Sequence, residues 1–213
     1  ILIKDGNSYI IYVKDIHNIY SILRSKICEI IRECKLKTFP FGLHAALIGR
    51  DEELYLIIGT KGSGKTSAVL YALLKGWDVY TDEFVLIDRE CIEVLERFPA
   101  ITPQVEEKYF ADCNFRAHSL IKGCLTGEYK KIIGINLKKC KGLSPENIKK
   151  VYVLTDWKNN VMLQEYRKSV FYSNVLIGSN MTDDRYGIIQ DLIFKSIMTN
   201  IKDFSKEFLE ERV

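Results

Sequence analysis

Eight consecutive residues, Gly59-Thr60-Lys61-Gly62-Ser63-Gly64-Lys65-Thr66, fit the pattern G-x-x-x-x-G-K-[ST]. The chemistry this pattern serves is the holding of nucleotide phosphates. Glycines let successive backbone N–H groups face one concavity, where they can donate to phosphate oxygens. A helix beginning near Lys65 would add its positive N-terminal end. Lys65 has the reach and charge for the β- and γ-phosphates, and Thr66 a hydroxyl for Mg²⁺. With Ser67, which follows directly, residues 59–67 form the candidate nucleotide contact set.

A second candidate is the acidic pair Asp82-Glu83. About eleven helical residues leaving the loop at roughly 1.5 Å each are balanced by about five strand residues returning at roughly 3.3 Å each. Both legs come to about 16 Å, so Asp82 should return to the level of the glycine loop, near a bound γ-phosphate. Carboxylates at the carboxyl end of a strand suit metal binding or proton acceptance. Either acid can take either task on this reading. His44 is the third candidate. Residues 44–48 and 54–58 read as two strands around Arg50-Asp51, and antiparallel pairing about that turn sets His44 opposite Ile58 or Gly59, at the loop's mouth. There it could touch the transferred phosphate or the acceptor, or simply end the strand. His17 and His118 have no such placement and read as structural or surface residues.

These residues must be positioned by an alternation of strands and helices. Two short β-type runs flank Asp5-Gly6, a hairpin signal. Residues 15–37 carry apolar side chains at helical spacing, with Asp15 as a candidate N-cap, and Pro40 and Gly42 stop the helix. The strand at 54–58 runs into the glycine loop, a helix follows over 65–75, and Gly76 is placed to end it. Strands are expected at 79–81, 84–87 and 91–95, with a hairpin turn at Asp88-Arg89-Glu90. Helix is expected over 104–120, strands at 131–137, 151–155 and 161–166, and one or two helices over 186–212. No internal repeat or dividing linker is visible, so 1–213 reads as a single domain, with 1–40 an N-terminal hairpin and helix packed on the core.

Composition bounds the partners. The 213 residues are 47% hydrophobic and 28% charged, with only 13 Gly and 4 Pro, which excludes fibrous and disordered classes. A net charge of +3 is too small to imply non-specific nucleic-acid binding. No apolar run approaches the roughly 18 residues of a membrane span. The opening Ile1-Leu2-Ile3-Lys4 has neither an initiator Met nor the apolar core of a signal peptide. Cys28, Cys34, Cys91, Cys113, Cys124 and Cys140 contain no C-x-x-C pair and read as reduced thiols of a cytoplasmic protein. Seven lysines in 128–150, set against Glu128 and Glu146, could hold an acidic acceptor or the nucleotide's phosphates, but fit a solvated face better. Asp183-Asp184-Arg185 reads as a turn.

The run Leu43-His44-Ala45-Ala46, a hairpin, the glycine loop, and then Gly76-Trp77-Asp78-Val79-Tyr80-Thr81-Asp82-Glu83 resembles the HPr kinase/phosphorylase family, in particular its smaller members that lack an N-terminal domain. The resemblance covers roughly residues 40–90. It implies an α/β fold with a P-loop core of the HPr kinase and phosphoenolpyruvate carboxykinase kind, a mixed sheet with substantial antiparallel hairpins, and flanking helices. It departs from the family at Glu83, where Asp is more common, and Ile133-Gly134-Ile135-Asn136 only faintly echoes the family's second signature. The implied activity is Mg²⁺- and ATP-dependent transfer to a serine hydroxyl of a peptide or protein, including precursor peptides of natural products. In that reading Lys65 stabilises the transferred group, Thr66 with Glu83 or Asp82 holds Mg²⁺, Asp82 accepts the proton, and His44 contacts phosphate or orients the acceptor. A small-molecule acceptor such as free serine, or nucleotide binding without catalysis, would leave the same signature. Oligomeric state is left open.

Overall fold

A computed structural model describes residues 2–5, 8–11, 19–122, 128–155, 163–177 and 185–210. In chain order the first elements are β1 (Leu2–Asp5), β2 (Ser8–Ile11), α1 (Ile19–Lys35), β3 (Phe41–Leu43), β4 (Ala46–Arg50), β5 (Glu53–Gly59) and α2 (Lys65–Leu74). There follow β6 (Asp78–Thr81), β7 (Phe84–Ile87), β8 (Ile92–Leu95), β9 (Ala100–Ile101), α3 (Pro103–Phe110), β10 (Ala117–Lys122) and β11 (Tyr129–Ile133). The chain ends with β12 (Ile148–Leu154), α4 (Leu163–Ser173), β13 (Val175–Ile177), α5 (Arg185–Phe194), β14 (Ser196–Thr199) and α6 (Ile201–Glu210). The architecture is mixed α/β, with several sheets and flanking helices.

Internal contacts divide the chain into two compact units, 1–34 with 100–134, and 35–99 with 135–213. The first unit holds the β1–β2 hairpin and a three-stranded sheet in the order β10-β11-β9. Thr102 caps α3 by accepting from the Val105 N–H, Pro103 opens the helix, and Phe110 stacks edge-on against Phe115. The helix expected over 104–120 therefore ends early. From Ala117 the chain is a strand, paired with β11 from Ala117↔Ile133 to Lys122↔Tyr129.

The second unit is built on a five-stranded sheet in the order β14-β12-β5-β4-β6. β12 is parallel to both β14 and β5, and β4 is antiparallel to both β5 and β6. It follows that β14, β12, β5 and β6 all end at one edge, and β4 begins there. Both faces are covered, as the alternation of side chains requires. On one face Leu54, Leu56, Ile58, Val151 and Val153 join a cluster that includes Phe41, Val85 and Phe171. On the other, Ile57, Tyr152 and Leu154 meet Ala68, Val69, Ala72 and Phe204 from α2 and α6. A second sheet, in the order β13-β3-β7-β8, is antiparallel throughout.

Helix α2 ends in a Schellman motif: the Trp77 N–H donates to the Ala72 carbonyl at 3.0 Å, and that of Gly76 to Leu73 at 2.9 Å. Gly76 thus stands where the sequence placed it. Residues 161–166 read as a strand, yet from Leu163 onward they are helical, as the first part of α4. The strand reading followed local β-propensity, whereas Val170 and Phe171 further along are buried at helical positions. The stretch 186–212 read as one or two helices, and two are there, α5 and α6, with the unexpected strand β14 between them, whose four residues pair with Val151–Leu154. The strand expected over 131–137 ends at Ile133. Asp15, His17, Cys124, Asp183 and Asp184 lie outside the described residues. Among the described residues, no helix is long and apolar enough to cross a membrane.

Candidate active site

The carboxyl end of β5 passes directly into the glycine loop. Gly62 and Gly64 take φ values of +86° and +98°, the left-handed region that side chains disfavour. Gly64 is also the N-cap of α2, so no side chain caps the first N–H groups of that helix. These groups remain a donor array of the kind that binds anions. At Gly59 the need is for space. A Cβ there would come within 2.4 Å of the Ser63 hydroxyl and 2.7 Å of the Leu154 carbonyl.

Lys65, Thr66 and Ser67 form the first turn of α2. The Lys65 ammonium donates to the loop's own carbonyls, at 2.7 Å to Gly59 and 3.4 Å to Thr60. Burial holds its pKa below the ordinary lysine value, and the Asp82 carboxylate opposes that shift. Thr66 Oγ1 donates to Asp82 Oδ2 at 2.8 Å. The helix-and-strand arithmetic therefore held: Asp82 follows β6, returns to the sheet edge where β5 ends, and meets Thr66. Thr60 and Lys61 are exposed at the loop's tip, whereas Ser63 and Ser67 are buried.

Glu83 turns elsewhere. Its carboxylate is paired with the Arg97 guanidinium. The Arg97 carbonyl also accepts the Asp82 N–H at 3.3 Å. Thr81 Oγ1 donates to the Leu95 carbonyl at 2.6 Å and accepts the Glu83 N–H at 3.2 Å. Arg97 was not among the residues picked from the sequence, although a signal was there. The β7–β8 hairpin pairs Phe84 with Leu95, and two further steps of that register set Asp82 opposite Arg97.

His44 lies in the bend between β3 and β4, half-buried, with its N–H donating to the Asn174 carbonyl at 2.8 Å. The β4–β5 register has Ala46 opposite Ile57, and its extension meets Gly59, as anticipated. The strand itself begins at Ala46, so His44 belongs to the loop at the edge where β5 ends. His118 is exposed on β10. The lysines of 128–150 are largely engaged: Lys131 with Glu106, Lys138 with Asp78, Lys139 with Glu96 and Lys149 with Glu53, while Lys150 lies over the Tyr152 ring.

The loop's fit to a nucleotide can be tested on its own atoms. Ser63 Oγ is buried without a hydrogen-bond partner, the pair Thr66–Asp82 offers a hydroxyl and a carboxylate side by side, and Lys65 supplies a cation held among carbonyls. An unpaired buried hydroxyl costs about 1–3 kcal/mol, which a phosphate oxygen would relieve. Mg²⁺ is commonly held by one or two carboxylates together with substrate phosphates, and the Thr66–Asp82 pair fits that mode. Among the described residues, no group of three or more His, Cys, Asp and Glu side chains converges as a ready metal site. No protein-family model matches the chain, and no curated protein is significantly similar to it.

Proposed function

We propose that the chain is a Mg²⁺- and ATP-dependent phosphotransferase, built on a P-loop core of the HPr kinase kind, that moves the γ-phosphoryl group to a hydroxyl of a peptide or protein, with serine the favoured acceptor. The observation that carries this reading is the 2.8 Å bond between Thr66 and Asp82, which joins the loop motif to the acidic pair seventeen residues beyond Lys65. A glycine turn matching the motif by chance would have no reason to meet a carboxylate there.

The residues divide the work as phosphoryl transfer requires, through positioning and charge neutralisation. The loop of Gly59, Thr60, Lys61, Gly62, Ser63 and Gly64 would cradle the phosphates. Lys65 stabilises charge on the transferred group, and Ser63 and Ser67 add hydroxyls beside it. When bound, Mg²⁺ neutralises phosphate charge, and Thr66 and Asp82 would hold it. Asp82 takes the acceptor's proton on the oxygen not bonded to Thr66, and His44 orients the acceptor from the bend before β4. Replacing Asp82 by Asn should leave metal-free ATP binding intact and lower transfer by at least about 100-fold. Full transfer by that variant would remove Asp82 from this role.

The engaged state of Lys131, Lys138, Lys139 and Lys149 bears on the acceptor. It takes away the open basic surface that would argue for an acidic peptide, so a small-molecule acceptor stands as the second reading. One experiment addresses both. The protein, beside a Lys65→Ala control, is incubated with Mg²⁺ and γ-labelled ATP in extract of its own organism, and the label is sorted into peptide, small-molecule and free-phosphate fractions. Control-sensitive label on a polypeptide supports the first reading, and label confined to small molecules supports the second. ATP that binds yet keeps its label would mark a nucleotide-binding module.

A further inference from the structure

We infer that Arg97 and Glu83 form a positioning pair that fixes Asp82 against Thr66, and that Glu83 is the counter-ion of Arg97 rather than a metal ligand. The inference rests on the nucleotide reading above and assigns roles that the acidic pair alone leaves open. Asp82 and Glu83 are the two residues between β6 and β7, which belong to different sheets. Strand pairing on neither side therefore fixes the direction of this corner, and its two carboxylates would repel each other if they shared one side. The end of β8 and the residues that follow it supply what those pairings do not. The Leu95 carbonyl holds the Thr81 hydroxyl, the Arg97 carbonyl holds the Asp82 N–H, and the Arg97 guanidinium holds the Glu83 carboxylate.

The separate partners of the two acids complete the argument. Arg97 holds the Glu83 carboxylate, while the Asp82 carboxylate accepts from Thr66, so the corner's two acidic side chains are parted between two anchors. The Glu83 side chain is only 17% exposed and that of Arg97 34%, so neither charge is freely solvated. Removing the guanidinium would leave a partly buried carboxylate unpaired one residue from Asp82. In the competing arrangement Glu83 binds the metal and Arg97 merely competes for it. The two arrangements give opposite signs for one substitution.

The test reads Mn²⁺ binding in the presence of ADP, by electron paramagnetic resonance on the whole chain. Wild type is compared with Arg97→Gln, Glu83→Gln, the double variant, Arg97→Lys, and the exchange that carries Glu83→Arg with Arg97→Glu. Ligand-free melting of each variant verifies folding. A positioning pair predicts that either Gln variant weakens Mn²⁺ binding roughly tenfold, the size typical when a group supporting a metal ligand is lost. It also predicts that the double variant is no worse than the weaker single one, and that the exchanged pair recovers much of the affinity. Arg97→Lys keeps the charge and should fall between wild type and Arg97→Gln. Mn²⁺ binding that is unchanged or tighter in Arg97→Gln, or in Arg97→Lys should the Gln variant not fold, would overturn the inference, as would fully additive losses in the double variant. Wild type that binds neither ADP nor Mn²⁺ would overturn the nucleotide reading and this inference with it. Normal wild-type binding with an unaffected Arg97→Gln would overturn this inference alone.

Discussion

Thr66 and Asp82 stand sixteen positions apart in sequence and 2.8 Å apart in space, and the loop between β5 and α2 is strict about its neighbours. Two glycines of that loop should respond differently to the same change. In Gly59→Ala the new Cβ would meet the Leu154 carbonyl at 2.7 Å, a backbone atom that cannot rotate away, as well as the Ser63 hydroxyl. We expect about 1–3 kcal/mol of lost stability and nucleotide affinity at least tenfold weaker. In Gly62→Ala nothing lies within 4 Å of the added carbon, so only the cost of φ +86° applies, about 1–2 kcal/mol, with the loop keeping its shape. Chemical denaturation and ADP titration of both variants would check this, and equal nucleotide affinities would contradict the steric account. Lys65 carries the pH dependence. In the proposed reading its charged form meets the phosphates, and burial lowers its pKa below 10.5. ATP affinity should therefore fall as pH rises through that lowered value, sooner than for an ordinary lysine, and binding in that range should take up a proton. Calorimetry in two buffers of different ionisation enthalpy would measure the uptake. Lys65→Arg, which keeps its charge, should flatten the profile.

At the scale of elements, α6 is the helix on which the loop's far side depends. Ile201 lies against Gly64, 3.1 Å from where a Cβ would stand, and Phe204 is fully buried with its ring edge-on to Tyr152 at 4.9 Å. Phe204→Ala should cost about 3–5 kcal/mol, read as a lowered denaturation midpoint, and should loosen the loop through Ile201. A loss under about 1 kcal/mol would mean that α6 is not coupled to the core as its burial implies. What could be read of such elements from the sequence followed from locality. The β4–β5 hairpin was legible because two apolar runs flank one turn, and the Gly76 stop was legible because it is a local motif. The strand β14 was not, because four residues between two helices become a strand only by pairing with Val151–Leu154, some forty-five positions earlier. Of residues 161–166 only Val161 and Tyr166 are strong β-formers, and the burial of Val170 and Phe171 further along α4 goes with a helix. Arg97 was missed because its role depends on hairpin register carried past the end of β8, and residue type alone does not show that. Asp82 was found because helix rise and strand rise fix where a chain returns, whatever the tertiary context.

For the molecule as a whole, every residue assigned to the site, from His44 through Arg97, lies in the unit formed by 35–99 and 135–213. A ligand that binds the native form of this unit, and not its unfolded chain, stabilises the unit that holds its contacts. At a free concentration one hundred times Kd the gain is about 2.7 kcal/mol. For a body of this size that corresponds to roughly 5–10 °C in Tm. Differential scanning calorimetry with and without Mg²⁺ and ADP should show that shift, and Lys65→Ala should abolish it. The division into two units adds a sharper expectation, because multi-unit chains need not unfold in one step. If two transitions resolve, ligand should move one and leave the other in place. The moving one should be the transition that Phe204→Ala also lowers, since both act on the 35–99 and 135–213 unit. A ligand shift that appeared instead in the transition insensitive to Phe204→Ala would place the binding residues outside that unit, and would count against the site at Gly59, Lys65, Thr66 and Asp82 as a whole.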